Sequence, residues 1–366
     1  MDKINSKKCL FMGPIAPPFT GQSVAFTILI NALREKYNCK VLNISNRDSL
    51  LSSFSLFVQI IVNVLFVNYE IIYFTCSRSL FGSFRDVLLL SLAKLKGIRV
   101  VNHLHGSDFR QFYNSLPRLY QKILFWSYSV IDTTIILIDG MEEEFIDFPK
   151  MKTIVIANCY SNELDNLPLV KAQKEAEIHL LYLSNIMKSK GIIHLLEACD
   201  IVFAKYPYLK FDIAGGFLED SHSNLNEITR EFEYLLGNLQ LKYPERIIYH
   251  GECKGNLKSQ LLWESDIFIL PTFYKTEAFP ITILEAMRAG NYILSTNHRY
   301  LPQIVKKENG LLFEPNCSDE IVTAIERVIL NKSELAKVQN NNISYVIENY
   351  NEAKYVKIIC EVIENK

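Results

Sequence analysis

Residues 266–315, DIFILPTFYKTEAFPITILEAMRAGNYILSTNHRYLPQIVKKENGLLFEP, decide the fold. The segment opens on an apolar run, 267–270, with the length and β-branched content of a buried strand. It turns at Pro271 and reaches Glu277 just before Phe279-Pro280, where Pro280 suits the first turn of a helix. Glu285 lies one to two turns into that helix, and a second apolar run follows at 292–295. The N-terminus of such a helix offers unpaired N–H groups and a partial positive charge at the carboxyl end of the preceding strand, which favours a diphosphate. Of the two carboxylates, one can hydrogen-bond sugar hydroxyls and the other can accept from both hydroxyls of a ribose.

Outward from this segment, short apolar runs alternate with helix-period stretches in both directions, the pattern of parallel sheets wrapped by helices. Strands are expected at 8–12, 40–44, 70–75, 98–104, 133–138 and 154–156, with helices at 23–36 and 80–96. A second series begins at 178–184 and continues through 209–214, 246–249, 267–270, 292–295 and 311–313. Between the series lies a polar stretch holding Pro168, read as a linker. The expected architecture is α/β, two tandem Rossmann-like doubly wound domains facing a cleft. Its parts are an N-terminal domain over 1–159, a linker over 160–176, a C-terminal domain over 177–345, and a C-terminal helix over 346–366 that packs back toward the N-terminal domain. The tail from Ser333 reads as helical, with a kink at Asn349-Tyr350-Asn351. Open parallel sheets bind ligands at the carboxyl ends of their strands.

Composition narrows the function classes. At 366 residues the chain is long enough for two cores, and 49% hydrophobic with 22% charged residues is ordinary for a globular protein. Lys and Arg total 39 against 40 Asp and Glu, so no global field steers it toward nucleic acid. The eight cysteines are scattered singly, without the paired spacing of zinc or redox sites, and read as reduced core thiols of a cytosolic protein. The apolar run at Cys9-Leu10-Phe11-Met12 is too short for a secretory signal. The greasiest stretch, 54–67, is interrupted by Gln59 and Asn63 and falls short of the roughly 20 residues of a bilayer span. It is read as a buried helix, with an interfacial helix as the alternative.

The glutamate segment strongly resembles the retaining glycosyltransferases of family 4, also called group 1, which have the GT-B fold. Their two glutamates with seven residues between them are matched by Glu277 and Glu285 in EAFPITILE, followed by Ala286-Met287 and Gly290. GPIAPPFTGQS resembles the family's glycine loop, with Gly21 where the backbone approaches donor phosphates and acceptor. His103-Leu104-His105-Gly106-Ser107-Asp108 is similar to its histidine motif, placing His105 beside the transferred sugar. LYLSNIMKSKGI resembles its phosphate-binding turn, with Lys190 and Gly191 in the matching places. The resemblance implies transfer of a sugar from a UDP- or GDP-linked donor to the hydroxyl of a glycan or polyprenyl-linked acceptor, with retention, in surface polysaccharide synthesis. It implies His105 and Glu277 as catalytic residues, and neither a metal nor a resident cofactor. Donor-binding roles fall to Gly21, Asn185, Lys190, Glu285, and the backbone of Phe279, Pro280 and Ile281.

The chain also departs from the pattern. Ala278 stands where the family has glycine, Ser184-Asn185 where it has arginine, and Arg299-Tyr300 where it has paired glycines, with Gln303 in place of a later glutamate. Arg299 is the candidate replacement for the missing cation. A nucleotide-sugar 2-epimerase-like isomerase and a non-catalytic nucleotide-sugar-binding subunit stay open as alternatives. Arg118 and Lys122 beside Leu119, Phe125 and Trp126 suggest a peripheral contact with an anionic membrane, on the inner face of the plasma membrane.

Overall fold

The computed structural model describes residues 7–45, 49–171 and 177–364, and the chain in it forms two compact units, each on its own parallel sheet. The first takes in the described residues up to Asn158 and those from Glu352 onward, and the second runs from Cys159 to Asn351. The first unit begins β1 (Lys8–Gly13), α1 (Gly21–Leu33), β2 (Asn38–Asn43), α2 (Leu50–Phe66), β3 (Ile71–Thr75) and α3 (Leu80–Lys96). It continues with β4 (Arg99–His103), α4 (Phe109–Ser115), α5 (Arg118–Tyr128), β5 (Ile131–Ile136) and β6 (Lys152–Val155). The second begins β7 (Ile178–Leu183), α6 (Ile192–Lys205), β8 (Leu209–Ala214), α7 (Leu225–Lys242), β9 (Ile247–Tyr249) and α8 (Gly255–Glu264). It continues with β10 (Ile267–Leu270), α9 (Ile281–Arg288), β11 (Tyr292–Thr296), α10 (Leu301–Ile304), β12 (Gly310–Phe313), α11 (Ser318–Ile329) and α12 (Lys332–Asn349). The last helix, α13 (Glu352–Glu364), belongs to the first unit.

Strand order is β2-β1-β3-β4-β5-β6 in the first sheet and β12-β11-β10-β7-β8-β9 in the second, and every pair is parallel. Each order reverses once, between β1 and β3 and between β7 and β10. At such a reversal the connections leave toward opposite faces, which opens a crevice at the carboxyl ends of the two strands. The strands flanking both reversals are buried, as Leu10, Phe11, Ile72, Leu180, Phe268 and Ile269 show. The α/β reading and the C-terminal helix are therefore present. That helix is anchored in the first unit by Tyr37, whose hydroxyl donates to Glu364 Oε1 at 2.6 Å, and by Arg99, which donates to the Val362 carbonyl at 2.7 Å.

Four expectations need correction. The apolar stretch 54–67 is not a buried helix: among its residues Leu56, Ile60 and Val64 alone are buried, while Phe54 and Phe66 are 68% and 80% exposed. A sheet face offers a helix one stripe of contact, so an all-apolar helix on it leaves its other side uncovered. Not every cysteine is a core thiol, because Cys39, Cys253 and Cys317 are half-buried, on an edge strand, a loop and a helix cap. The stretch read as a linker over 160–176 is, through its described residues to Lys171, fastened to the second unit; 172–176 lie outside the described residues. Arg288 donates to the carbonyls of Asp165 and Leu167 at 3.0 and 2.8 Å. The return to the first unit falls at Glu352 rather than at 346.

Lys171 makes the firmest of these attachments. Its buried ammonium donates to the Ser265 carbonyl, to the Ala289 carbonyl at 3.0 Å and to Asn291 Oδ1 at 2.9 Å. The two carbonyls belong to the C-caps of α8 and α9, where helix carbonyls run out of partners within their own helices. Lys171→Met should lower the stability of the second unit by about 2–4 kcal/mol, since several buried acceptors lose a charged donor at once. Lys205→Met, which removes an exposed pair with Glu326, should leave the urea midpoint where it was. Equal midpoints for the two variants would contradict the strap.

Candidate functional site

In the second unit the loops after β7 and β10 meet at the strand-order reversal. The β7 loop ends in a single tight turn, Lys188–Lys190, followed by Gly191 at φ 77°. A Cβ at Gly191 would overlap the Pro271 carbonyl, so the glycine allows both the left-handed backbone and the close approach. Two further bonds hold the loops together, Phe273 N–H to the Ser189 carbonyl at 2.8 Å and Thr272 Oγ1 to the same oxygen at 3.4 Å. This closure puts Lys190 Nζ 2.5 Å from Glu277 Oε2, which also accepts from Thr272 Oγ1 at 3.1 Å. The lysine lies 4.9 Å from the centre of the Tyr274 ring.

Helix α9 starts directly after this loop, with Pro280 as its N-cap rather than in its first turn. Phe279 and Ile281 are buried, so what they present at the helix start is backbone. Glu285 is 1% exposed: Oε1 accepts from Lys258 Nζ at 2.6 Å, while Oε2 is buried with no hydrogen-bond partner among the described residues. A buried carboxylate oxygen without a donor is costly and marks a place where a ligand hydroxyl would be bound. Asn185 is half-buried after β7, its carbonyl accepting from Tyr182 Oη at 2.8 Å. Arg299 is exposed, on the turn after β11, its guanidinium 5.9 Å from the centre of the Tyr300 ring. His298 Nε2 lies 3.0 Å from the Tyr274 carbonyl, so that turn adjoins the Glu277 loop. Arg299 keeps a left-handed φ of 52°, the conformation glycine adopts easily, whereas Ala278 stays outside that region.

In the first unit, Gly21 is the first residue of α1, behind Thr20, which caps the helix in a reciprocal box with Ser23. Apart from its chain neighbours and its own helix backbone, no atom of the described residues stands within 4 Å of where a Cβ at Gly21 would lie. His103 ends β4, and His105 follows in the loop with its ring centroid 4.0 Å from that of His103. Tyr73 Oη and His103 Nδ1 are 2.5 Å apart. Both ring nitrogens of His105 are buried without a hydrogen-bond partner among the described residues. Burial, together with the Arg78 charge, pushes the His105 imidazole from 6.5 down to about 3, and burial beside His105 holds His103 well below its usual value. Both rings are neutral at physiological pH and can exchange hydrogen bonds with hydroxyls.

Sequence reasoning missed Arg78 and Lys258. Arg78 follows β3, across the first sheet's reversal from the Gly21 loop, and pairs with Asp108 at 2.5 Å. A Cβ at Gly106 would strike its guanidinium, so that glycine makes room for it. Neither residue has a local signal, because each is defined by a partner 27–30 positions away. Among the described residues no group of three or more His, Cys, Asp or Glu side chains is placed to hold a metal ion.

The histidine pair gives an acid-stability signature. Below about pH 6.5 the unfolded chain takes up protons that the folded chain refuses until about pH 3 at His105, so stability is full above that window and falls as pH drops through it. His105→Asn should flatten the acid limb by up to about 1.4 kcal/mol per pH unit, read from urea midpoints between about pH 6 and 4. An unchanged slope would contradict a neutral buried His105.

Residues 166–365 match the family described as glycosyl transferases group 1. The chain is 25% identical over 178 residues to an uncharacterized glycosyltransferase of Methanocaldococcus jannaschii, covering 48% of this chain and 42% of that protein. It is also 25% identical over 193 residues to an uncharacterized glycosyltransferase of Haemophilus influenzae, covering 52% of this chain and 50% of the relative. The chain thus spans about half the length of the curated relatives it matches. Among solved structures, sucrose-phosphate synthase from Thermosynechococcus elongatus aligns with a TM-score of 0.73 at 15% identity, over 98% of each chain. Anabaena HepE in complex with UDP aligns with a TM-score of 0.73 at 15% identity, over 97% of this chain and 99% of the other. At these identities the likeness concerns the fold, which is GT-B. Since the family match extends over more than half of its length, the chain belongs to the glycosyl transferases group 1 family.

Proposed function

We propose that the protein is a retaining glycosyltransferase of family 4, moving a sugar from a UDP- or GDP-linked donor to a hydroxyl of a glycan or polyprenyl-linked acceptor. The observation that carries this reading is the Lys190–Glu277 pair at the β7/β10 reversal, with the unpartnered Glu285 Oε2 on the helix that follows. The diphosphate is assigned to Lys190 and the backbone amides at the start of α9, and the ribose hydroxyls to Glu285. An ammonium has three donors, so Lys190 can keep Glu277 while contacting phosphate. As the glycosidic bond breaks, negative charge grows on the leaving phosphate and positive charge on the sugar. Lys190 answers the first charge and Glu277 the second, so both act more strongly in the transition state than in the ground state. His105, neutral and with both nitrogens unpartnered, is assigned to a hydroxyl of the transferred sugar. The departing phosphate oxygen takes the acceptor's proton in a same-face displacement, which needs no separate protein base. This assignment of roles, and metal independence with it, follows the family resemblance.

The HepE structures carry UDP and, in one case, UDP-glucose, which supports a nucleotide-sugar donor here. We extend the reading to surface polysaccharide synthesis, capsule, O-antigen or exopolysaccharide, in the cytoplasm at the inner face of the plasma membrane. Support for the place comes from the motifs; among the described residues no helix is long and apolar enough to cross a membrane.

Glu285→Ala should raise the donor dissociation constant with little further loss in turnover, because the ribose contact is made in ground and transition states alike. Glu277→Ala should mainly lower kcat. Each loss should be about 1.5–3 kcal/mol, the range for a hydrogen bond to a charged group. Labelled UDP- and GDP-sugars, followed to transfer, hydrolysis or epimer, test the reaction class. Retained anomeric configuration in a transfer product is expected, whereas an epimer without acceptor, or binding without turnover, would overturn the proposal.

A further inference from the structure

Helices α2, α3 and α5 lie side by side on one face of the first sheet, since they belong to right-handed crossovers that step in the same direction, from β2 past β1 to β3, from β3 to β4 and from β4 to β5. Their inner stripes are buried, and their outer sides are apolar to an unusual degree. Leu51, Phe54 and Phe66 on α2, Phe81 and Leu95 on α3, and Leu119 on α5 are between 68% and 84% exposed. No charged residue occurs anywhere in α2. The surface is continuous across the helices. Lys96 Nζ reaches the Leu65 carbonyl at 3.1 Å, Phe84 packs against Tyr120 with ring centres 5.0 Å apart and planes tilted by 56°, and Lys94 Nζ sits 4.4 Å from the centre of the Trp126 ring. A continuous apolar face of this kind marks an interaction site.

The charges on these helices say what the partner is. Asp86 is the one carboxylate in the three helices, and it is buried against Arg85 at 2.6 Å. The other ionised side chains are Lys94, Lys96, Arg118 and Lys122, all exposed and all cationic. Arg118 and Lys122, with Tyr113, Gln121 and Phe125, line a hollow of about 310 Å³ at the edge of the apolar surface. An apolar face with basic groups at its edge and no exposed acid on its three helices complements an anionic bilayer, whose headgroups meet the cations while the apolar side chains enter the acyl boundary. It does not complement a second copy of itself, because a twofold interface would set these cations against one another with no carboxylate between them.

We propose that the α2–α3–α5 face seats the protein on an anionic lipid surface, α2 lying in the plane of the interface. This rests on the peripheral location given under Proposed function and identifies the face that produces it. The test is flotation of the full chain with vesicles of phosphatidylcholine alone and of phosphatidylcholine mixed with phosphatidylglycerol. Two variants are compared, Phe54→Ser/Phe66→Ser/Phe81→Ser and Arg118→Gln/Lys122→Gln. Wild type should float with the anionic vesicles and detach as salt is raised. The first variant should bind at least about tenfold more weakly, and the second should lose about tenfold of its preference for anionic over neutral vesicles. Unchanged melting temperature and unchanged response to UDP- or GDP-sugar in thermal shift show that fold and donor site are intact. Wild type that floats with neither vesicle overturns the peripheral location and the face together. Wild type that floats while the first variant floats equally overturns the face alone. A wild-type dimer that the first variant dissociates assigns the face to a second copy instead.

Discussion

The ion pair of Lys190 and Glu277 is the contact on which the second unit's site depends. Both side chains are largely out of water, at 13% and 9% exposure, so neither charge is well solvated without the other. Burying such a pair has a desolvation penalty that mutual attraction offsets only with good geometry and added hydrogen bonds. The 2.5 Å approach and the Thr272 hydroxyl meet that condition on the Glu277 side. Geometry of this quality requires the two loops to come within contact, and Gly191 against the Pro271 carbonyl is what permits it. Backbone choice, loop closure and electrostatics at the site are thus one arrangement. It sits where strand order reverses, the place in the sheet with room for a ligand.

The first unit handles polarity in the opposite way. Burial keeps both of its histidines neutral, aided by Arg78 at His105 and by His105 at His103, and the nitrogens of His105 are left without partners among the described residues. A neutral imidazole suits exchange of hydrogen bonds with hydroxyls, and the open nitrogens are a cost to folding. Arg78 is fixed by Asp108, which limits its freedom and keeps its charge beside the ring. Among the buried polar groups left short of partners in the described residues, His105 of the first unit and Glu285 of the second belong to the matched motifs.

Much of this was legible in the sequence, for reasons that differ by element. The central strands of both sheets are short apolar runs, so their order along the chain reveals two doubly wound halves, while the edge strands β2 and β6 are more polar. Glu277 and Glu285 were legible because strand, Pro280 and helix fix their spacing. Lys258, Arg78 and Lys171 were not, because each is defined by partners brought close only by the fold. Helix α2 was misread for another reason. An apolar composition reports how much greasy surface a helix has, not how much of it the fold covers, and one sheet face covers only the stripe of Leu56, Ile60 and Val64. Arg299 remained a matter of substitution pattern, and the structure adds that it holds a left-handed backbone beside the Tyr274 loop.

The account stands most directly on Lys190 serving a bound diphosphate while it holds Glu277. Isothermal titration of UDP and GDP into wild type and Lys190→Met measures this without any acceptor or turnover. The account predicts that the nucleotide wild type prefers binds Lys190→Met at least about tenfold more weakly, some 1.4 kcal/mol or more. The same affinity in both proteins would contradict it.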